Sequence, residues 1–169
     1  MCSGIPGVGR SLAETDTPAP EIRAQTWFNA GPTKRPSLKA MRGKVVLVFF
    51  WTMDDSNCSR AVETVNQWYS KYREKGLEVI GVHSPEFDFS FSESGLFQKI
   101  DSLKIAFPVV SDSDSSVRVA FGSTSWPSFV LVDRRGIIRA EYQSPATASD
   151  YKAVETCLET LLAEGPGNP

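Results

Sequence analysis

The stretch FFWTMDDSNCSR, residues 49–60, joins an apolar run to the expected start of a helix. The run itself is KVVLVFFW, residues 44–51, and its β-branched and aromatic residues are typical of a strand covered on both faces. Asp54 and Asp55 follow at the turn, where an Asp side chain can cap the first amides of a helix. The sequence therefore predicts a central strand that runs directly into a helix.

The helix predicted after this turn repeats its apolar residues every three or four positions, as one buried face requires. Gly76 ends the helix, and a second apolar run, LEVIGV at residues 77–82, follows at once. A strand, a helix and a strand in this order predict a right-handed crossover in a parallel sheet. The apolar positions of the helix are Cys58, Val62, Val65, Tyr69 and Tyr72.

Shorter elements surround this unit. Residues 128–142 read as two antiparallel strands joined by Asp-Arg-Arg-Gly, whose Gly can adopt a positive φ. The other predicted elements are a strand at residues 25–29, a helix at about 93–103, a strand at 107–110, a brief helix through 117–121 and a closing helix at about 148–163. The predicted class is therefore α/β.

The composition excludes several classes of function. With 169 residues, 41% hydrophobic residues and a formal charge of −2, the chain is typical of one compact domain, which we take as a monomer. No concentrated basic surface and no apolar run of about 20 residues is visible, so neither nucleic acid binding nor a membrane span is predicted. We expect a flexible N-terminal arm at residues 1–24, a domain at 25–163 and a tail at 164–169.

The three cysteines, Cys2, Cys58 and Cys157, are widely separated and form no CxxC motif. With a single histidine in the chain, they predict neither a metal site nor a cofactor. The spacing leaves the pairing of Cys2 and Cys157 open, since each could bond an outside thiol or nothing. A Cys followed by Ser and Gly near the start would also suit the first residue of a mature bacterial lipoprotein, although the visible N-terminus has no signal sequence.

Three separated motifs give the chain a family resemblance: SLKAMRGKVVLVFFWT, NQWYSKYREKGLEVIGVHSPEF and SWPSFVLVDRRGIIR. They resemble the TlpA-like and DipZ-like branch of thiol-disulfide oxidoreductases, within the thioredoxin-like superfamily, over roughly residues 25–163. The resemblance implies a thioredoxin-like fold, with a central mixed β-sheet flanked by helices and an antiparallel C-terminal hairpin. It also implies an extracytoplasmic or membrane-tethered location.

The active-site pattern of that branch, FWTxxCxxC, fits this chain with one replacement. Cys58 falls on the second cysteine, and Asp55 falls on the first, which in the family attacks a substrate disulfide as a thiolate. A carboxylate cannot perform that attack. Phe49 also stands where many thioredoxins carry a buried Asp that assists proton transfer. The resemblance therefore implies a degenerate DxxC site without dithiol exchange.

Asp55 and Cys58 each have a structural and a chemical interpretation. As a helix N-cap, Asp55 would stabilise the fold by about 1 kcal/mol, whereas a general base would need a shifted pKa and a partner acid. Cys58 lies on the apolar face of its helix beside a carboxylate, which favours an inert thiol, while the helix N-terminus favours a thiolate. The alternative for Cys58 is residual monothiol chemistry, as in a thiol oxidoreductase or a weak peroxidase.

Trp126 and Pro127 match the family's residue-Pro pair, in which the Pro is cis and the preceding backbone lines the substrate groove. Together with Trp51 they form the predicted groove, which can hold an extended protein or peptide by strand-like hydrogen bonds. His83 is expected to be a hydrogen-bonded structural residue. Two functions remain: a binding module without dithiol exchange, and a monothiol enzyme that uses Cys58.

Overall fold

The structure is a computed structural model that describes residue 2 and residues 9–11, 17–31, 36–86 and 92–165. Its strands are β1 (Gly9–Ser11), β2 (Thr26–Phe28), β3 (Val45–Trp51), β4 (Leu77–His83), β5 (Val109–Ser111), β6 (Ser128–Val132) and β7 (Ile138–Gln143). Its α-helices are α1 (Ser56–Tyr72), α2 (Glu93–Ser102), α3 (Ser116–Ala120) and α4 (Ala148–Ala163). A short 3₁₀ helix, Arg73–Lys75, extends α1 to Gly76, which adopts a φ of 100°.

All the strands join one mixed sheet in the order β1-β7-β6-β3-β4-β5-β2. The pairs β3/β4 and β4/β5 are parallel, while β6 pairs antiparallel with both β3 and β7. The β3-α1-β4 crossover and the C-terminal hairpin are thus both present, which confirms the predicted thioredoxin-like α/β fold. Because Trp51 pairs with His83, the carboxyl ends of β3 and β4 meet at one edge of the sheet.

The central strand separates two cores. Every residue of β3 is buried, as its uninterrupted apolar sequence predicts. The side chains of Phe49 and Trp51 belong to the core formed with α1 and α4, and Phe50 belongs to the core on the opposite face. This two-sided burial fixes the point at which β3 ends and the turn into α1 begins.

Helix α1 buries one face against the first core. Cys58, Val62, Val65 and Tyr72 are buried as predicted, whereas Tyr69 is half-buried and Trp68 is the buried residue of that turn. No helix in the described part of the chain is long and apolar enough to cross a membrane.

The N-terminal arm differs from its prediction at the residues that the structure describes. Cys2 forms a disulfide with Cys157 in α4, Gly9–Ser11 forms an edge strand, and Pro18 makes a β-bridge to Ile137. The expectation of a flexible arm over residues 1–24 stays a prediction for the arm as a whole. At the positions named above, strand pairing and a disulfide hold the backbone, and the Gly-rich and Pro-rich sequence indicates neither of them.

Candidate functional site at the start of helix α1

Asp55 is the N-cap of α1. Its backbone is extended, with φ −100° and ψ 127°, and its Oδ1 accepts a hydrogen bond from the backbone N–H of Cys58 over 2.9 Å. Its carbonyl oxygen accepts a second bond, from the N–H of Ser59, over 3.1 Å. The carboxylate thus satisfies an amide that would otherwise lack a partner in the first turn of the helix.

Cys58 carries the free thiol of the site, and the thiol is enclosed. The residue has 0% of its surface exposed and belongs to the core between the sheet and α1. Burial raises the pKa of Cys58 to about 12, the backbone N–H of Thr52 acts in the opposite direction, and the negative charge of Asp55 raises it further. Near neutral pH the group is therefore a protonated thiol and a poor nucleophile.

Buried polar atoms lie at the carboxyl ends of β3 and β4, at the edge of the sheet from which the chain turns into α1. Within the described residues, no hydrogen-bond partner is present for Nε1 of Trp51, Oγ1 of Thr52 or either ring nitrogen of His83. The rings of Trp51 and His83 lie 5.3 Å apart in an edge-to-face arrangement. The prediction that His83 is hydrogen-bonded does not hold among these residues, because its ring packs against an indole instead.

The charge state of His83 follows from this surrounding. Only 1% of the residue is exposed. Burial lowers the pKa of His83 to about 4, and the negative charge of Asp54 acts in the opposite direction. The imidazole is therefore neutral near neutral pH. It lies at the end of β4, opposite Trp51 at the end of β3.

Trp126 and Pro127 lie in the loop before β6. Their peptide bond is cis, Pro127 is buried, and its carbonyl oxygen accepts a bond from the N–H of Ser144 over 2.9 Å. Trp126 is half-buried and packs against both cores. The guanidinium carbon of Arg118 lies 5.0 Å from the centre of its indole ring, a cation–π contact.

The structure therefore divides the predicted groove residues. Trp126 keeps part of its surface exposed, whereas Pro127 is buried and Trp51 has 0% exposed and offers no contact to a ligand. The described residues contain no group of three His, Cys, Asp or Glu side chains that could hold a metal ion.

Two features of this region were absent from the sequence-based predictions. The first is the set of buried polar atoms around His83, whose only sequence signal is a histidine directly after an apolar run. The second is the Cys2–Cys157 disulfide, which bonds the Cys2 sulfur that the lipoprotein alternative requires. The position of Cys157 on the apolar face of α4 was a signal for burial and not for pairing.

Comparison with known proteins places this geometry in a family. The AhpC/TSA family model matches residues 15–141. The chain is 34% identical to protein DipZ of Mycobacterium bovis over 161 residues, which is 94% of this chain and 23% of DipZ. It is 27% identical to the thiol-disulfide oxidoreductase YkuV of Bacillus subtilis over 148 residues, covering 87% of this chain and 95% of that protein.

A solved structure of a thioredoxin-like superfamily protein matches with a TM-score of 0.78 at 24% identity, covering 90% of this chain and 99% of the other. That likeness supports the fold alone. The chain spans about a quarter of the length of the mycobacterial DipZ proteins that it matches. From the matched residues and the shared architecture, the chain belongs to the AhpC/TSA family and is related to the thioredoxin-like thiol-disulfide oxidoreductases.

Proposed function

We propose that this chain is a thioredoxin-like binding module whose DxxC site does not catalyse dithiol-disulfide exchange. The observation that carries the proposal is the hydrogen bond from the N–H of Cys58 to Oδ1 of Asp55, at the position that the family resemblance assigns to a nucleophilic cysteine. The carboxylate of Asp55 caps the helix at this position. The thiol of Cys58 is buried, so the turn presents no thiolate to a substrate.

The chemistry of disulfide reduction supports this proposal. Reducing a substrate disulfide takes two electrons, which a dithiol supplies by forming its own disulfide. Cys58 is the free cysteine of the chain, and Cys2 and Cys157 are already joined to each other. A single thiol can form only a mixed disulfide, which then needs a second thiol from elsewhere.

The monothiol alternative is disfavoured by the same geometry. With a pKa of about 12, roughly one Cys58 in 10⁵ would be a thiolate at pH 7. The residue also has no exposed surface through which a peroxide or disulfide could approach. We therefore place Cys58 in the core and assign it no catalytic step.

The loop before β6 supports a binding role, because its backbone is held in place before any ligand arrives. Gln143 of β7 accepts hydrogen bonds from the N–H of Thr124 over 3.3 Å and from the hydroxyl of Ser125 over 3.1 Å. The hydroxyls of Ser123 and Ser128 lie 2.7 Å apart and are buried. A loop fixed in this way loses little entropy on binding, so Trp126 at its end can act as the contact residue for an extended protein or peptide.

The disulfide also supports an extracytoplasmic location for this part of the protein. Disulfides persist in oxidising compartments and are rare where thiol systems keep cysteines reduced. Trapping thiols with an alkylating reagent in intact cells, followed by mass measurement, tests this: a disulfide between Cys2 and Cys157 is expected, and free thiols at both would contradict the location.

The test of the proposed function compares disulfide reduction by three proteins: the natural chain, Asp55→Cys and Asp55→Ser. We expect no turnover by the natural chain, some turnover by Asp55→Cys because a CxxC pair is present, and none by Asp55→Ser, which keeps a capping oxygen without adding a thiol. Strong turnover by the natural chain that disappears in Cys58→Ser would overturn the proposal. If a folded Asp55→Cys variant shows no disulfide reduction, then the lack of a second thiol at the turn is not the only feature that prevents exchange.

A further inference from the structure

The Cys2–Cys157 disulfide links the beginning of the N-terminal arm to the last helix, across a sequence separation of 155. Cys157 lies on the buried face of α4 and has 0% of its surface exposed. Cys2 keeps 9% exposed. Both cysteines are buried, and Cys2 is the less enclosed of the two, so the first described residue of the arm is tied to the core by a bond whose less enclosed end is Cys2.

Beyond Cys2, the described parts of the arm follow the outer edge of β7. β1 pairs antiparallel with β7, with Gly9 opposite Tyr142 and Ser11 opposite Ala140. Farther along, the N–H of Ile138 donates to the carbonyl of Thr17 over 3.0 Å. Since β7 pairs with β6 on its other side, the arm covers the edge of β7 that would otherwise be open.

The hydrogen bonds alone provide a weak attachment. β1 has three residues, at the short end of strand lengths, and it lies at the edge of the sheet. A covalent bond nearby raises the effective concentration of such a segment at its docking site, and breaking the bond removes that advantage. The retention of β1 on β7 is therefore expected to depend on the disulfide.

We propose that Cys2–Cys157 is a redox modification site, at which an external dithiol reduces the disulfide and thereby detaches the arm from the edge of β7. This inference concerns α4, β1 and β7, and it holds whether or not the turn at Asp55 is inactive. The domain then has an oxidised form, in which β1 covers the edge of β7, and a reduced form, in which this edge is uncovered.

The reduction proceeds from the Cys2 side. A thiolate of the dithiol attacks Sγ of Cys2, which is less deeply buried than Cys157, and the bond to Cys157 breaks. Cys157 leaves as a thiolate and takes up a proton. The second thiol of the reagent then attacks the mixed disulfide, closes the reagent into its own disulfide and releases Cys2. The dithiol loses two electrons and two protons, and Cys2 and Cys157 become thiols.

The experiment measures amide hydrogen exchange by mass spectrometry on the full chain, before and after treatment with dithiothreitol. The mass of the protein should rise by two hydrogens. In peptides that cover residues 9–11 and 140–142, the amides that pair β1 with β7 should then exchange at least about tenfold faster, while the amides of β3 should stay protected. Cys2→Ser should show the fast exchange without reductant, and Cys58→Ser, which removes a thiol outside the disulfide, should resemble the oxidised natural protein.

Three results would overturn the proposal. Three alkylatable thiols in the denatured, untreated protein would show that the disulfide does not form. Unchanged exchange in β1 and β7 after reduction would show that hydrogen bonds suffice to hold the arm. Faster exchange in β3 as well, both on reduction and in Cys157→Ala, would show that the bond maintains the whole domain and not the arm alone.

Discussion

Oδ1 of Asp55 lies 2.9 Å from the backbone nitrogen of Cys58, so the carboxylate caps the helix that carries the free thiol of the site. The two residues are coupled in a second way, because the charge of Asp55 raises the pKa of Cys58. Burial, the larger cause, acts in the same direction. Asp55 therefore stabilises the start of α1 and favours the protonated form of the Cys58 thiol.

The first prediction concerns this cap. Asp55→Ala should lower the free energy of unfolding by about 1 kcal/mol, since the N–H of Cys58 loses its partner at the helix start. Asp55→Asn keeps a side-chain oxygen at the same place and should lose much less. Urea denaturation of the three proteins measures the difference. Equal stability of Asp55→Ala and the natural chain would mean that water replaces the carboxylate without cost.

The second prediction concerns the reactivity of Cys58. In the folded protein an alkylating reagent should label it far more slowly than a free thiol, and the labelling rate should rise with pH up to about pH 12, because burial disfavours the thiolate. In denaturant the labelling should be immediate. Mass spectrometry of labelled peptides follows both reactions. Rapid labelling of the folded protein near pH 7 would favour the monothiol alternative.

The third prediction follows from His83, whose pKa in the folded protein, about 4, lies below the value of about 6.5 in an unfolded chain. Between these values the unfolded state binds the proton and the folded state does not, so stability falls as the pH falls from about 6.5 towards 4. Linkage gives a loss of about 2 kcal/mol between pH 7 and pH 5 from this group.

The measurement compares the free energy of unfolding at pH 7 and pH 5 for the natural chain and for His83→Phe. The variant keeps an aromatic ring beside Trp51 and cannot be protonated, so its stability should change less over this interval. The carboxyl groups contribute equally to both proteins, and only the difference between them reports on His83. An identical pH dependence in the two would show that the imidazole is hydrated or paired in solution.

The sequence predicted the parts of this molecule that depend on local patterns. The uninterrupted apolar run of β3, an Asp cap at the turn and the glycine that ends the helix each follow from a local pattern, and the structure agrees with all three. The pairing of Cys2 with Cys157 could not be predicted, because two residues at a sequence separation of 155 share no local pattern that shows whether their side chains meet.

The burial of Cys58 follows from its place on the apolar face of α1, but the burial of Trp51 could not be decided from the sequence, which allows it to lie in the core or in the groove wall. Trp51 was placed in the groove because the family resemblance puts it beside the active-site turn. The structure instead turns its side chain into the first core, where it stacks on Phe49 with ring centres 6.4 Å apart. Alternation along a strand that is buried on both faces does not reveal which residue at its end reaches the surface.

The last prediction tests the binding role through Trp126. A reduced and carboxymethylated unfolded protein serves as the probe, because it offers extended backbone without free thiols or disulfides. Trp126→Ala should weaken its binding at least about tenfold, since the removal of a central aromatic contact typically costs more than 1 kcal/mol. The change in tryptophan fluorescence or in heat on titration measures the affinity.

Phe97→Ala is the matched control, because Phe97 is an aromatic residue that is 60% exposed on α2, beside Phe28 of β2. If exposed aromatic surface alone attracts the probe, both variants lose affinity equally, and the loop before β6 has no special role. If Trp126→Ala alone loses affinity while Asp55→Cys retains it, binding and disulfide exchange are separate properties of the domain. Binding would then depend on the loop that Gln143 holds in place, and it would not require a thiol at residue 55.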